Sequence, residues 1–392
     1  MAASTCVDIA VCADVPELDG LDALLRAQRL SFSTEDADIT GCHTLLVGAT
    51  ETRQADLIAR AKRLGAKRIV QVSVGASTSW QTREELGGRL IHIDMPAIGK
   101  ASQSDADIPT DSALMMLAQL LAAPFGALMA ADPASSELID LARCVASHDV
   151  SVFINGPTGS GKEVLSRYIH AASPRAAAPF IALNCAAIPE NMLEAMLFGH
   201  EKGAFTGAAA ANQGHVRAAE GGTLLLDEIS EMPIGLQAKL LRVIQEKAVT
   251  PVGSQAEISV DVRLIATSNR DMEAEVARGA FREDLYYRLN VFPVATLALA
   301  ERPRDIASLA QGLLARHAQG AVPLLSAAAM EALAAHDWPG NVRELENVMQ
   351  RALVLARGPE IGADDIVIAP RAGLMRAFQT VDAMAAPARE AA

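Results

Sequence analysis

The stretch that most constrains this chain is a strand, a glycine-rich turn and a helix in immediate succession. Residues 149–154 read DVSVFI. Gly156, Pro157, Thr158, Gly159, Ser160, Gly161, Lys162 and Glu163 follow, and then VLSRYIH. An apolar, β-branched run closed by glycine reads as a buried strand, and the segment after the turn has helical spacing. Glycines let successive backbone N–H groups turn inward around phosphate oxygens. The helix N-terminus adds partial positive charge, and Lys162 adds a full charge for the β- and γ-phosphates. The spacing fits G-x4-G-K. Glu163 stands where a Ser or Thr ordinarily touches Mg2+. ATP with Mg2+ is the ligand this arrangement predicts, bound by residues 156–163.

A second strand supplies the acids. GGTLLLDE, residues 221–228, is an apolar run ending in Asp227 and Glu228. A buried strand would carry both to its C-terminal tip, where α/β sheets bind ligands. Asp227 is placed to hold the water shell of Mg2+, and Glu228 to orient and polarise an attacking water. A third strand, VDVRLIATSN over 260–269, ends in Ser268 and Asn269, and Asn269 could sense the γ-phosphate.

The remaining sequence sets the frame. At roughly 150 residues per domain, 392 residues make two or three domains. Hydrophobic residues are 51% of the chain, which excludes wholesale disorder. The formal charge of −13 argues against a stand-alone DNA binder, because phosphate neutralisation needs clustered Lys and Arg. Five scattered cysteines with no CxxC pair signal neither a zinc site nor a disulfide framework. No signal peptide or bilayer-length apolar run is seen, so a cytoplasmic protein away from membranes is expected. In residues 1–125, VDIAVCA, TLLVGA, KRIVQVSV and RLIHIDM alternate with helical patterns, which predicts a doubly wound α/β domain and linker. Gly65 is a candidate helix C-cap. The motif-bearing stretch runs over 134–368, and 369–392 reads as a disordered tail.

Between the two acidic and glycine motifs stands NCAAIPENMLEAMLFGHEKGAFTGA, residues 184–208. Its GAFTGA hexapeptide resembles the surface loop of bacterial enhancer-binding proteins, the AAA+ activators of sigma-54 RNA polymerase. GGTLLLDEIS, LQAKLLRVIQE, RLIATSNRD, FREDLYYRLN and WPGNVRELENV agree in order. The resemblance implies an AAA+ P-loop core over 134–300, a helical lid over 301–368, and a hexameric ring, homo- or hetero-oligomeric. It also implies roles. Lys162 contacts nucleotide phosphates, Asp227 handles Mg2+, and Glu228 activates water. Asn184 resembles the residue restraining that Glu, and Asn269 the first sensor. Arg282 and Arg288 resemble arginine fingers entering a neighbour's site, and Arg343 the second sensor. Gly203, Ala204, Phe205, Thr206, Gly207 and Ala208 would form the loop that meets the sigma-54 holoenzyme, with Phe205 and Thr206 at its tip. Small residues around Phe205 argue for a mobile, exposed loop.

The sequence departs from the family in three places. TLALAERPRDI, residues 296–306, carries Leu297 and Ala298 in place of a proline pair and Ala300 in place of an Arg. About 48 residues follow WPGNVREL without paired amphipathic helices or a basic cluster, so no autonomous DNA-binding domain is expected. Access to promoters would then come through a DNA-binding relative. The N-terminal domain resembles a response-regulator receiver, yet its central strand ends at Val47, Gly48 and Ala49 instead of a phosphorylatable Asp. Asp14 is what remains of the acidic pair, and IHIDMPA, with Asp94, lacks the expected Lys. A receiver-like domain without phosphorylation chemistry is expected. The leading function is an ATP-driven activator, with flagellar genes as its expected targets. The alternative is a regulatory partner forming mixed rings with a paralogous activator.

Overall fold

The computed structural model describes residues 5–12, 14–15, 18, 20–34, 39–49, 54–98, 111–125, 128–205 and 208–368. Two compact units divide the chain: Met1–Ser136 together with Leu299–Ala392, and Glu137–Ala298.

The first unit begins with β1 (Thr5–Val11), α1 (Leu21–Ala27), β2 (Phe32–Thr34), β3 (Ile39–Gly48) and α2 (Gln54–Arg63). It continues with β4 (Arg68–Val74), β5 (Gln81–Glu85), β6 (Leu90–Met95) and α3 (Ser112–Ala122). The sheet order is β2-β1-β3-β4-β6-β5, parallel except for the antiparallel edge strand β5. Without β5 this is the doubly wound 2-1-3-4-5 order, with β6 as the fifth strand. The four strands expected from sequence are β1, β3, β4 and β6. Alternate residues fill opposite faces, as parallel sheets covered on both sides require. Leu45, Val47 and Ile69 pack with Leu57 of α2, while Ile9, Leu46, Val70 and Val72 pack with α1 and α3. At Gly65, φ is +65° and the amide donates to Lys62 O, as the C-cap reading anticipates. At Gly48 a Cβ would lie 2.1 Å from the Asp14 carbonyl oxygen. The end of this central strand therefore has no room for a side chain at that position.

The second unit is entered through α4 (Pro133–Ala146), which starts just before its boundary. It comprises β7 (Val152–Asn155), α5 (Lys162–Ala171), β8 (Phe180–Asn184), α6 (Glu190–Phe198), α7 (Gly214–Ala218), β9 (Thr223–Asp227) and α8 (Ile234–Glu246). Then come a short pair, β10 (Ala248–Val249) and β11 (Ile258–Ser259), β12 (Arg263–Ser268), α9 (Met272–Ala277), α10 (Glu283–Leu289) and β13 (Phe292–Ala295). The five-stranded sheet has the order β13-β7-β12-β9-β8, all parallel. Thus β12 lies between the strand leading into the glycine turn and the strand ending in the two acids. Leu224 and Leu226 face Leu193, Leu197, Leu236 and Leu240 of α6 and α8 in a core with Phe281 and Leu285. At about 1.5–3 kcal/mol per fully buried large apolar side chain, this core fixes where the strand tips fall.

From Leu299 the chain rejoins the first unit through α11 (Asp305–His317), β14 (Leu324–Leu325), α12 (Ala327–Ala334), α13 (Asn341–Leu355) and β15 (Glu360–Ile361). Its core gathers Leu314, Leu333, Trp338, Leu345 and Val348. Helix α3 is apolar nearly all round and serves both sub-cores. Ser112 Oγ donates to Leu325 O at 2.8 Å, and Gln119 Nε2 to Ser308 O at 2.6 Å. The Asp305 carboxylate is buried and accepts from the Ala131 and Asp132 amides at 2.7 Å each and from the Ser135 hydroxyl. Burial holds its pKa above the ordinary carboxylate range despite those donors. Residues 369–392, expected as a disordered tail, lie outside the described residues.

Candidate active site

The glycine turn leaves the tip of β7 and enters α5, as the spacing required. Gly159 and Gly161 sit at φ +75° and +105°, backbone that side-chain-bearing residues rarely adopt. At Gly156 a Cβ would lie 2.1 Å from Thr296 Oγ1 and 2.5 Å from Thr296 O, so only glycine fits there. Ser160 Oγ donates to Pro157 O at 2.7 Å and lies 2.7 Å from Thr296 Oγ1. Lys162 Nζ donates to Gly156 O at 2.8 Å and Pro157 O at 3.1 Å, folding the ammonium across the mouth of the turn. Glu163 is different from the other members of this set. Its carboxylate pairs with Arg167 one helical turn on, at 2.8 Å, on the exposed face of α5. That i,i+4 geometry turns it to solvent instead of into the turn.

Asp227 and Glu228 stand at the tip of β9, two strands from the glycine turn. Asn184 Nδ2 donates to Asp227 Oδ2 at 2.8 Å, and the Asn184 Oδ1 caps the next turn by accepting from the Ala186 and Ala187 amides. Asn184, expected to restrain Glu228, holds the neighbouring Asp227 through its amide in this structure. The reason is register, since Asn184 and Asp227 are paired across β8 and β9. Thr267 was not singled out by sequence. It is fully buried, donates its hydroxyl to Asp227 Oδ1 at 2.5 Å, and accepts from the Glu228 amide at 3.1 Å. Glu228 itself has left-handed backbone, φ 53° and ψ 50°. Asn269 Nδ2 reaches Thr158 Oγ1 at 2.8 Å, which ties the tip of β12 to the glycine turn. Burial first, and then the negative charges of Asp227, Glu228 and Glu231, push the Cys185 thiol up to about 12.

The chemistry of the donor set suits Mg2+ shared with phosphates. Asp227 presents a fixed carboxylate whose two oxygens carry one hydrogen bond each from Asn184 and Thr267, leaving acceptor capacity on both. Among the described residues no group of three or more His, Cys, Asp or Glu gathers to cage a metal. Mg2+ ordinarily takes one or two carboxylates plus substrate phosphates, so a single carboxylate beside a phosphate turn is the fitting arrangement.

The arginines are elsewhere. Arg282 is the N-cap residue of α10, Arg288 lies in its last turn, and both are exposed. The Arg282 guanidinium forks onto Asp284 at 2.8 and 3.0 Å, a hydrogen bond that raises its already high pKa. Arg343 lies exposed on α13, in the other unit.

The GAFTGA segment rises from a narrow neck. His200 and Asn212 exchange two backbone hydrogen bonds at 2.9 Å, and Glu201 and Gly199 bond Val252 at 3.0 and 2.9 Å. Above the neck, Gly203 N bonds Ala208 O and Ala208 N bonds Phe205 O. Phe205 is 44% exposed, with its ring edge-on to His200 at 4.9 Å between centroids. Ala208 is buried, so that end of the hexapeptide is anchored and not exposed as its small neighbours had indicated. Thr206 and Gly207 lie outside the described residues.

Comparisons with known proteins agree with this geometry. Residues 128–295 match the sigma-54 interaction domain, and residues 300–373 match the AAA+ ATPase lid domain. The response regulator protein FleR of Pseudomonas aeruginosa is 58% identical over 250 residues, 63% of this chain and 53% of FleR. The transcriptional regulatory protein FlbD of Caulobacter vibrioides is 55% identical over 233 residues, 59% of this chain and 51% of FlbD. The chain thus spans about half the length of the curated relatives it matches. NtrX of Brucella abortus, solved in complex with ADP, superposes with a TM-score of 0.57 at 25% identity over 96% of this chain and 91% of that one. No helix among the described residues is long and apolar enough to cross a membrane.

Proposed function

Residues 128–373 of this chain belong to the sigma-54-activating AAA+ family, and from that premise we propose that the protein hydrolyses ATP to remodel the sigma-54 RNA polymerase holoenzyme and start transcription. One observation carries the reading. The phosphate turn, the Asp227–Glu228 pair and Asn269 converge at the C-terminal edge of one parallel sheet, with Asn269 bonded directly to the turn.

Phosphoryl transfer needs positioned charge more than covalent chemistry. Main-chain amides from Thr158 to Lys162 and the Lys162 ammonium hold the triphosphate, for which the ammonium exchanges the Gly156 and Pro157 carbonyls for phosphate oxygens. Asp227 would hold Mg2+, which would supply positive charge against the phosphates. Glu228 orients a water and accepts its proton as the water oxygen bonds the γ-phosphorus and the bond to the ADP oxygen breaks. Asn269 reports the presence of the γ-phosphate to β12. Arg282 and Arg288 act on a neighbouring copy's site in a hexameric ring, where a trans Arg is worth about 10³–10⁵ in rate for GTPases; Arg282 first exchanges Asp284 for phosphate. Arg343 closes the lid on nucleotide. The 203–208 loop, with Phe205 and Thr206 at its tip, touches sigma-54.

The N-terminal domain serves oligomerisation or partner binding without phosphorylation, which the crowded Gly48 position supports. Flagellar genes are the targets this reading proposes.

The test is a reconstituted sigma-54 transcription assay with ATP turnover measured in parallel. The wild-type protein should hydrolyse ATP and form open complexes. Lys162→Ala should weaken ATP binding by at least about 100-fold, the loss of a charge-assisted phosphate contact of roughly 3 kcal/mol. Unchanged nucleotide affinity would remove the phosphate-loop reading.

A further inference from the structure

We propose that Thr267 is a positioning residue for ATP cleavage: its single hydroxyl clamps Asp227 and Glu228 into one catalytic unit. The inference rests on the ATPase reading above and adds a residue to it.

Asp227 and Glu228 are consecutive, yet they need different holders. Asp227 still lies in β9, so its main chain is fixed by the ladder to β8. Glu228 has left the strand and sits in left-handed backbone, which is unfavourable for a non-glycine residue and persists only where neighbours enforce it. The enforcing contact is a hydrogen bond from the Glu228 amide to Thr267 Oγ1 at 3.1 Å. The same oxygen donates its one proton to Asp227 Oδ1 at 2.5 Å, the length of a charge-assisted bond. One hydroxyl therefore fixes the direction of one carboxylate and the main-chain origin of the other. Its one proton goes to Asp227 and one of its two lone pairs takes the Glu228 amide.

The position is stiff. Thr267 is completely buried in β12, whose backbone is paired on one side with β7 and on the other with β9. A β-branched side chain in that setting has little rotamer freedom. The Asn184 amide bonds only the second oxygen of Asp227, so it cannot replace the link to Glu228. Without the Thr267 hydroxyl, the Glu228 amide loses its acceptor and the Asp227 carboxylate is free to turn about the Asn184 contact.

The test compares Thr267→Val, which keeps the shape and removes the hydroxyl, with Thr267→Ser, which keeps the hydroxyl. Thr267→Val should lower kcat for ATP between about 10- and 100-fold, the scale of a misplaced catalytic group. Its equilibrium ATP affinity should stay within about threefold of wild type, because the phosphate turn is untouched. Thr267→Ser should recover most of the kcat. Hydrogen exchange at the Glu228 amide, read on nucleotide-free protein, gives an answer that needs no turnover. Protection should be present in wild type and Thr267→Ser and lost in Thr267→Val. Retained protection in Thr267→Val overturns the clamp, as does wild-type kcat in that variant, or a Thr267→Ser that fails alike. A wild-type protein that hydrolyses no ATP defeats the ATPase reading instead, while the exchange result still decides the clamp.

Discussion

Gly199→Ala isolates the coupling between the GAFTGA loop and the core. Gly199 adopts φ 84° and ψ 172°, a region open essentially to glycine alone. A Cβ there would lie 2.5 Å from Gln213 O and 2.6 Å from Asn212 O, both of them backbone atoms. Asn212 O is also the acceptor of the His200 amide in the neck. The methyl group therefore pushes apart the two strands that the neck must hold together. Strain of about 1–3 kcal/mol adds to the loss of two backbone bonds at about 0.5–1.5 kcal/mol each. The sum centres on about 4 kcal/mol, on the order of a thousandfold in the local opening equilibrium, enough to erase the protection of a two-bond neck. Hydrogen exchange resolved at the His200 and Asn212 amides reads this directly. ATP turnover should stay within about twofold, since the phosphate turn and Asp227 lie on other elements, while complex formation with sigma-54 should fall with the neck. Unchanged exchange at both amides would show that the crossing is not what closes the loop. Equal loss of turnover would show that the damage is not confined to it.

Two further outcomes are expected. Asp305→Ala removes the acceptor of the Ala131 and Asp132 amides and should destabilise the first unit by about 3–5 kcal/mol, the scale for breaking a buried charged network; a change under about 1 kcal/mol in denaturant melts would show that water replaces the carboxylate. Burial lowers the pKa of His170 below its usual 6.5, so the native state keeps it neutral while the unfolded chain protonates. Stability from this residue is complete above pH 6.5 and is lost as pH falls through that lowered value, and His170→Gln should melt with a shallower acid dependence than wild type; parallel dependences would refute the assignment.

Much of the core site was legible because its chemistry needs fixed chain spacings. The turn of 156–162 and the run ending at Asp227 are contiguous signals, and both lie where strand and helix patterns placed them. What was not legible depends on contacts between strands distant in sequence. Thr267 reads as an ordinary β-branched strand residue, and only the β9–β12 register brings its hydroxyl to Asp227. The bond from Asn184 to Asp227 likewise comes from pairing across β8 and β9, which no local pattern announces. Thr296 was noted only within an altered stretch; its hydroxyl lies against Ser160 in the phosphate turn. In the first unit the apolar strands stood out. The edge strand β5, QTREE, did not, because its polar residues carry no buried face to betray it. Helix α3 falls at the end of the stretch expected as domain and linker. Its burial on all faces follows from packing partners some 200 residues away, such as Leu325 for Ser112.

The insertion of β12 between β7 and β9 has a mechanical consequence. Residues 267 and 269, two apart at one end of that strand, address the acids and the glycine turn respectively. A displacement of the turn that drags Asn269 must also tilt the anchor beneath Glu228. In the proposed mechanism, arrival of the terminal phosphate and readiness of the hydrolytic water are thus geared to a single shaft.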